Sequence, residues 1–322
     1  MKKIKSPEIP PSLDGDTQNR IDKAQKTAHA RKREELAGLH AKGQLALWPE
    51  NERGIPNELV RCAVFSAKNR KERRTVYRAN APLIVPVIGG GEVIYIGEEL
   101  RQDDETVWMQ LVHLAKEARS ESVSFTPYSF LKTIKWPIKG ASYTRLLTSI
   151  RRLATSGLEI YSNRFDKGVS TKLIAKYEYS KGADTPWKVQ VFNKDDELLF
   201  LFDKLYSRLD WETRLALPEG VTTWLHGFFS SHREPFDHKI ETLAIGAGLS
   251  LESTEDEYFD EITRIAKRKT RLREAKRIIT KALEALQETK FLKSFEVTRN
   301  GLGVRQRFLH FGAIRRVSHD LS

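Results

Sequence analysis

Apolar residues are sparse over residues 1–43 and recur with helical and strand periods from there to the end of the chain. The first 43 residues are polar and rich in lysine and arginine, which predicts a disordered basic tail that buries too little surface to fold. Residues 55–80 open with a proline turn and end in a very basic run. Two β-branched stretches follow, Ile84–Ile88 and Val93–Ile96, and Gly89-Gly90-Gly91 between them predicts a hairpin. A helix is expected from near Glu98, with acids in its first turn and Leu100, Val107, Trp108, Leu111, Leu114 and Ala115 as its buried stripe. A short strand over Val123–Phe125 precedes a helix over Pro127–Lys135, where Thr126 is the N-cap and Pro127 takes the first helical position. After a turn at Pro137–Gly140, a third helix spans Ser142–Ser156 and stops at Gly157. Strands Leu158–Phe165 and Ser170–Tyr179 form the next hairpin, and Lys188–Phe192 and Leu198–Phe202 also read as strands.

Helix, strand, helix, turn, helix, hairpin is the order of the winged-helix variant of helix-turn-helix. It partly recurs: helices over Gly220–Ser231 and His238–Gly248, an acidic insertion over Glu252–Glu261, a long basic helix over Thr270–Glu288, then strands Phe291–Thr298 and Val304–Phe311 around Asn300-Gly301. The fold expected is therefore α+β, two tandem winged-helix domains behind a disordered basic N-terminal tail. Its divisions are the tail (1–43), a linker and hairpin segment (44–97), a first winged-helix domain (98–203) and a second (204–322).

Charge narrows the partner. The 322 residues hold 55 Lys+Arg against 43 Asp+Glu, a formal net charge of +12, and the pI is about 9.6, which favours an acidic polymer. From Ser122 to Leu158 there are six basic residues and no Asp or Glu, so this stretch is expected to face something negative; a solvated basic face is the alternative. No apolar run approaches the roughly 20 residues of a membrane span, and the N-terminus lacks the apolar core of a signal peptide. With Cys62 alone there is neither an intrachain disulfide nor a cysteine metal cluster, which fits a reducing, cytoplasmic setting.

At 100° per residue, Ser142, Arg145, Thr148, Ser149 and Arg152 share one face of the third helix, opposite Leu146, Leu147, Ile150, Leu153 and Ala154. If the apolar side docks on the preceding helices, arginines and hydroxyls point outward, as types suited to base edges and phosphates in a major groove. In the long helix, Arg273, Lys276, Arg277, Thr280 and Lys281 oppose the stripe Leu272, Ala275, Ile279, Ala282, Leu283 and Leu286. Lys139 precedes the third helix, and Asn163, Arg164 and Lys167 at the hairpin tip are placed to reach a neighbouring groove or phosphate, or simply to solvate a turn. The bland reading of either helix is a solubilising charged face; two such helices in similar orders favour DNA binding.

No phosphate-binding GxxxxGK[ST] sequence is present, which argues against an ATPase or helicase. The eight histidines are dispersed, the six-residue separation of His232 and His238 is not a helical metal-ligand spacing, and no metal or other cofactor is expected. Asp103-Asp104 sits in a helical first turn, where capping accounts for it. No catalytic constellation emerges, so the expectation is a protein that is not an enzyme.

Three strings resemble the TrfA family of plasmid replication initiators: IPNELVRCAVFSAKNR (55–70), YIGEELRQDDETVW (95–108) and FFSSHREP (228–235). The resemblance covers roughly residues 44–322. It implies two winged-helix domains that bind direct repeats (iterons) in a plasmid origin, recruitment of the host initiator and replicative helicase, and a monomer–dimer equilibrium in which the monomer is active. The tail before Gln44 and the acidic stretch 252–261 depart from the pattern. Gln44-Leu45-Ala46-Leu47-Trp48 resembles the peptide by which bacterial proteins bind the replication sliding clamp, with Gln44 hydrogen-bonding at the pocket rim and Leu45, Leu47 and Trp48 completing the motif. A hydrophobic anchor onto the folded domain is its alternative. The expected function is thus plasmid replication initiation on double-stranded origin DNA. A dimeric winged-helix transcriptional repressor, which would choose an inverted repeat, is the rival, and a scaffold for acidic partners is a further one.

Overall fold

The computed structural model describes residues 48–163, 167–182, 185–193, 197–202, 206–232, 237–297 and 304–308. The tail, residues 1–43, lies outside them. The chain enters through β1 (Glu52–Pro56), the short helix α1 (Asn57–Val60), and strands β2 (Phe65–Ser66) and β3 (Val76–Tyr77). The expected hairpin follows as β4 (Leu83–Pro86) and β5 (Glu92–Glu98), paired antiparallel. Gly89, Gly90 and Gly91 all have positive φ (104°, 111° and 105°), so the turn needs residues without a Cβ.

β6 (Leu100–Arg101) runs parallel to β2 and leads into α2 (Gln102–Ala118). Leu100, expected on the helix stripe, is buried in β6 instead; Val107, Trp108, Leu111 and Ala115 are buried as the period requires. β7 (Ser122–Phe125) precedes α3 (Pro127–Thr133), where Thr126 Oγ1 accepts the Ser129 N–H at 3.2 Å and Pro127 opens the helix. α4 (Gly140–Thr155) is the expected third helix. β8 (Gly157–Ser162) pairs β9 (Lys167–Thr171), β4 and β3 complete their sheet through β5, and β10 (Lys176–Glu178) turns away to β11 (Trp187–Gln190), which pairs β7. The single strand expected over Ser170–Tyr179 is therefore shared between two sheets.

Glu197–Phe202 is a 3₁₀-helix rather than a strand. A short apolar run does not distinguish the two by period, and burial of Leu198, Leu201 and Phe202 fits a three-residue turn. β12 (Tyr206–Asp210) returns antiparallel to β1. Then come α5 (Trp211–Ala216), α6 (Val221–Ser230), α7 (Ile240–Gly246), the 28-residue α8 (Glu261–Glu288), and the pair β13 (Leu292–Val297) and β14 (Val304–Phe308). α8 begins at Glu261, nine residues before the expected start, capped by Asp260, which accepts the Thr263 N–H at 2.8 Å. Its buried residues begin only at Ala275, so the first turns carry no apolar stripe for a sequence reading to detect.

Two hydrophobic cores result, within one compact unit. The first runs from Trp48 to Trp211; the second joins Ala67 to residues between Leu217 and Leu292. The part of the expected linker and hairpin segment that precedes the hairpin is thus packed, since Ile55, Leu59 and Phe65 are buried in the first core, as are Val93 and Tyr95 of the hairpin. Residues 206–211 belong there as well, because β12 closes on β1. Cys62 is buried, and burial pushes its thiol up to about 12.

Candidate nucleic-acid interface

α4 was expected to turn one polar face outward, and it does not. Ser149 is 0 % exposed, Arg152 is 7 % exposed, and Ser142 is buried with them. The cause is the acidic first turn of α2. Asp104 Oδ1 accepts from Arg152 Nη2 at 2.8 Å and from Ser149 Oγ at 2.5 Å, while its Oδ2 accepts from Arg74 Nη1 at 2.6 Å. Arg145 bridges Asp103 (3.1 Å) and Glu219 (2.9 Å), with its guanidinium 3.6 Å above the Trp136 ring. Burial pushes the Asp103 carboxyl up, and the adjacent Arg74 and Arg145 outweigh it, holding the group below the usual carboxylate range. Leu146, Ile150 and Leu153 are buried on the other side, so α4 has two docked faces, one apolar and one ionic.

What remains outward is the narrow third side. Thr144, Arg151 and Thr155 are exposed, Thr148 is half-buried, and Lys139 is exposed at the N-cap. Thr148 and Thr155 donate to the carbonyls of Thr144 (2.8 Å) and Arg151 (2.9 Å), leaving oxygen lone pairs to solvent. Arg151, absent from the expected set, is the guanidinium this helix offers; Tyr177 beside it raises its pKa further. A two-faced wheel missed it. The signal that could have found it was the QDDE run at the start of α2, whose acids take the arginines facing them.

α8 keeps the expected division between an apolar and a cationic side. Arg273, Arg277 and Lys281 are exposed, Lys276 and Thr280 are half-buried, and Ala275, Ile279, Ala282, Leu283 and Leu286 fill the second core. Arg277 pairs with Glu274 at 2.6 Å on the surface, a contact worth little in water. The acidic stretch before α8 does not disturb this face. It engages the first half of the helix, with Asp256 on Arg271 and Glu252 on Arg268. Asn163 is exposed after β8, Lys167 begins β9, and Arg164 lies outside the described residues.

Trp48 takes the anchor role. It is 4 % exposed, ring-to-ring with Phe202 (6.0 Å) and Tyr206 (5.6 Å), and covered by the Lys116 ammonium (5.4 Å). Its side chain is therefore closed to a clamp pocket, and the expected clamp motif loses its aromatic residue; Gln44, Leu45 and Leu47 lie outside the described residues.

Between the cores runs a groove of about 830 Å³. One wall is Lys68, Asn69, Arg70 and Glu72; the other is the α8 flank with Arg271, Arg277 and Lys281. Among the described residues no cluster of His, Cys, Asp and Glu could hold a metal ion, and no helix is long and apolar enough to cross a membrane.

The profile of the TrfA protein family matches residues 14–281. The chain belongs to the TrfA family. The plasmid replication initiator protein TrfA of Escherichia coli is 30 % identical over 207 residues, which are 63 % of this chain and 53 % of that protein. The chain thus spans about half the length of that curated relative. Two crystal structures of domains 2 and 3 of RctB are similar at 13 % and 11 % identity, with TM-scores of 0.43 and 0.44. They cover 66 % and 76 % of this chain, and 84 % and 93 % of their own. The two longest strings that resemble the TrfA family meet in space. Phe65 and Ser66 of the first pair with Leu100 and Arg101 of the second, and Gln102 Nε2 donates to the Phe65 carbonyl at 2.8 Å.

Proposed function

We propose that this TrfA-family protein initiates plasmid replication by binding double-stranded DNA at direct repeats in the origin, without catalysing a covalent step. The observation that carries this reading is the exposed Arg273–Arg277–Lys281 edge of α8, held outward because the opposite stripe of the same helix fills the second core. A major groove about 12 Å wide admits one α-helix, and arginine forks suit guanine edges. Thr144, Thr148 and Arg151 on α4 supply a second, smaller contact. Both helices are followed by strand pairs, β8–β9 and β13–β14, which supports a tandem winged-helix mode of docking. Strand opening then follows from several bound protomers deforming the DNA. Recruitment of the host initiator and replicative helicase, and a monomer–dimer equilibrium, belong to the same reading.

The experiment is a titration of the full chain with duplexes carrying a direct repeat sought in the DNA flanking its gene, an inverted repeat, and a scrambled control. Preference for the direct repeat by 10³-fold or more is expected. Preference for the inverted repeat would instead identify a dimeric repressor, and failure to bind any duplex would remove DNA as the partner.

A further inference from the structure

The basic run Lys68–Arg78 contains Lys68, Arg70, Lys71, Arg73, Arg74 and Arg78 against the single acid Glu72. The structure divides these cations into two groups. Lys68 and Arg74 are half-buried and paired, with Glu99 (3.0 Å) and with Asp103 and Asp104 (3.0 and 2.6 Å) respectively. Arg70, Lys71, Arg73 and Arg78 are exposed, with no ion-pair partner among the described residues.

The backbone that carries the exposed group is held from beneath. Arg101, 1 % exposed, donates its guanidinium to the carbonyls of Asn69, Glu72 (3.0 Å) and Arg73 (3.1 Å), and to Glu99 Oε2 at 2.8 Å. Arg74 Nη1 adds a bond to the Glu99 carbonyl at 2.6 Å. Within the loop, the Asn69 side chain accepts the Lys71 N–H at 3.0 Å and its carbonyl accepts the Glu72 N–H at 3.1 Å. Burying a guanidinium is costly, and here its donors serve loop carbonyls. A loop needed only for solubility requires no such support; a loop that presents charges at fixed positions does, since ordering its side chains on binding then costs less.

The position of the loop gives it a partner. Lys68 and Arg70 face Arg271, Arg277 and Lys281 of α8 across the groove between the cores. Glu72, Glu219 and Glu274 also line that groove, with Glu219 engaged by Arg145 and Glu274 by Arg277, so the five cations outnumber the three acids. Two cationic walls that share one groove attract a common polyanion.

We propose that Arg70, Lys71 and Arg73 form a preorganised phosphate anchor that grips the DNA backbone beside the bases read by α8. The proposal rests on the duplex-binding reading above. Phosphate contacts set position and affinity while base contacts set sequence preference, so the two elements are separable by experiment.

The test compares the full chain with the Arg70→Ala/Lys71→Ala/Arg73→Ala variant and the reversed-charge Arg70→Glu/Lys71→Glu variant, on repeat and scrambled duplexes between 50 and 200 mM salt. Loss of three phosphate contacts should flatten the log–log salt slope by about 2.7, shrinking the affinity change over that range by about 40-fold. It should weaken both duplexes alike and leave thermal unfolding where it was, with the reversed-charge variant weaker than wild type in the same uniform way. An unchanged slope and affinity in both variants, while wild type binds the repeat, would overturn the anchor alone. A changed base preference would also overturn it, because the loop would then be reading sequence. Wild type failing to bind duplex DNA would overturn the anchor together with the reading it rests on.

Discussion

Trp48 donates its indole N–H to Nδ1 of His113 at 3.2 Å, across 65 residues of sequence. Gly54 provides the room, since a Cβ there would lie 2.7 Å from the indole ring. Trp48→Ala should destabilise the folded chain by about 3–5 kcal/mol, the range for emptying a large aromatic site. Gly54→Val should act in the same direction by displacing the ring. Denaturant midpoints measure both. An unchanged midpoint for Trp48→Ala would show the indole to be free in solution and available to a partner.

Acid should unfold the protein sooner than its basic composition suggests. Burial is the main cause that lowers His113, His232 and His238 to about 4 and His226 to about 3, from an ordinary 6.5. The unfolded chain takes up these protons near 6.5, so between about pH 6.5 and 4 it binds more protons than the folded chain. Stability should therefore be indifferent to these groups above pH 7 and fall as the pH drops through that window. Neither ring nitrogen of His226 has a hydrogen-bond partner among the described residues, and its ring meets Phe291 edge-on at 4.6 Å. His226→Phe should keep the fold at pH 7 and flatten the acid limb. Urea midpoints at pH 7.5, 6 and 5 decide this, and an equally steep limb in the variant would rule it out.

Adjacent arginines on α4 should have opposite phenotypes. Arg152→Ala leaves Asp104 without one of its buried cations and should cost about 3–5 kcal/mol of stability. Arg151→Ala, on the exposed side, should leave thermal unfolding unchanged and weaken duplex binding severalfold. Melting curves beside DNA titrations separate the two. Equal melting temperatures for both variants would mean that the ionic face of α4 opens.

Sequence preference should reside mainly in α8. Arg273→Ala with Arg277→Ala should relax selection at the base positions those side chains reach, at about 1–3 kcal/mol per lost bidentate contact. Selection from a randomised duplex library by wild type and variant reads this directly. Uniform weakening with selection intact would assign both arginines to phosphates.

Much of the local structure was legible in the chain. The Gly89–Gly91 turn, the Thr126–Pro127 helix start and the α8 stripe from Ala275 to Leu286 each depend on residues within a few positions of one another, so period and turn chemistry sufficed. The cationic edge of α8 was legible for the same reason: an apolar stripe that fills a core leaves its opposite side in water. The first nine residues of α8 were not, because a helical stretch without a buried face has no period to read.

Tertiary structure decided the rest, wherever a residue's environment comes from a distant segment. Arg145, Ser149 and Arg152 lie on the polar face of α4 by helical geometry, but only the docking of that helix on the Asp103–Asp104 turn makes the face internal and leaves Arg151 outward. Trp48 is a motif residue in the sequence and a core residue in the fold, because β12 closes on β1 and brings Tyr206 to its pocket, with Phe202 just before that strand. The residues ahead of the expected hairpin read as a linker until β1 joins β12 across the chain. Sequence period specifies which side of an element is apolar. Whether the polar side meets water or buried carboxylates depends on which segment packs against it, and that is set by contacts between residues far apart in the chain.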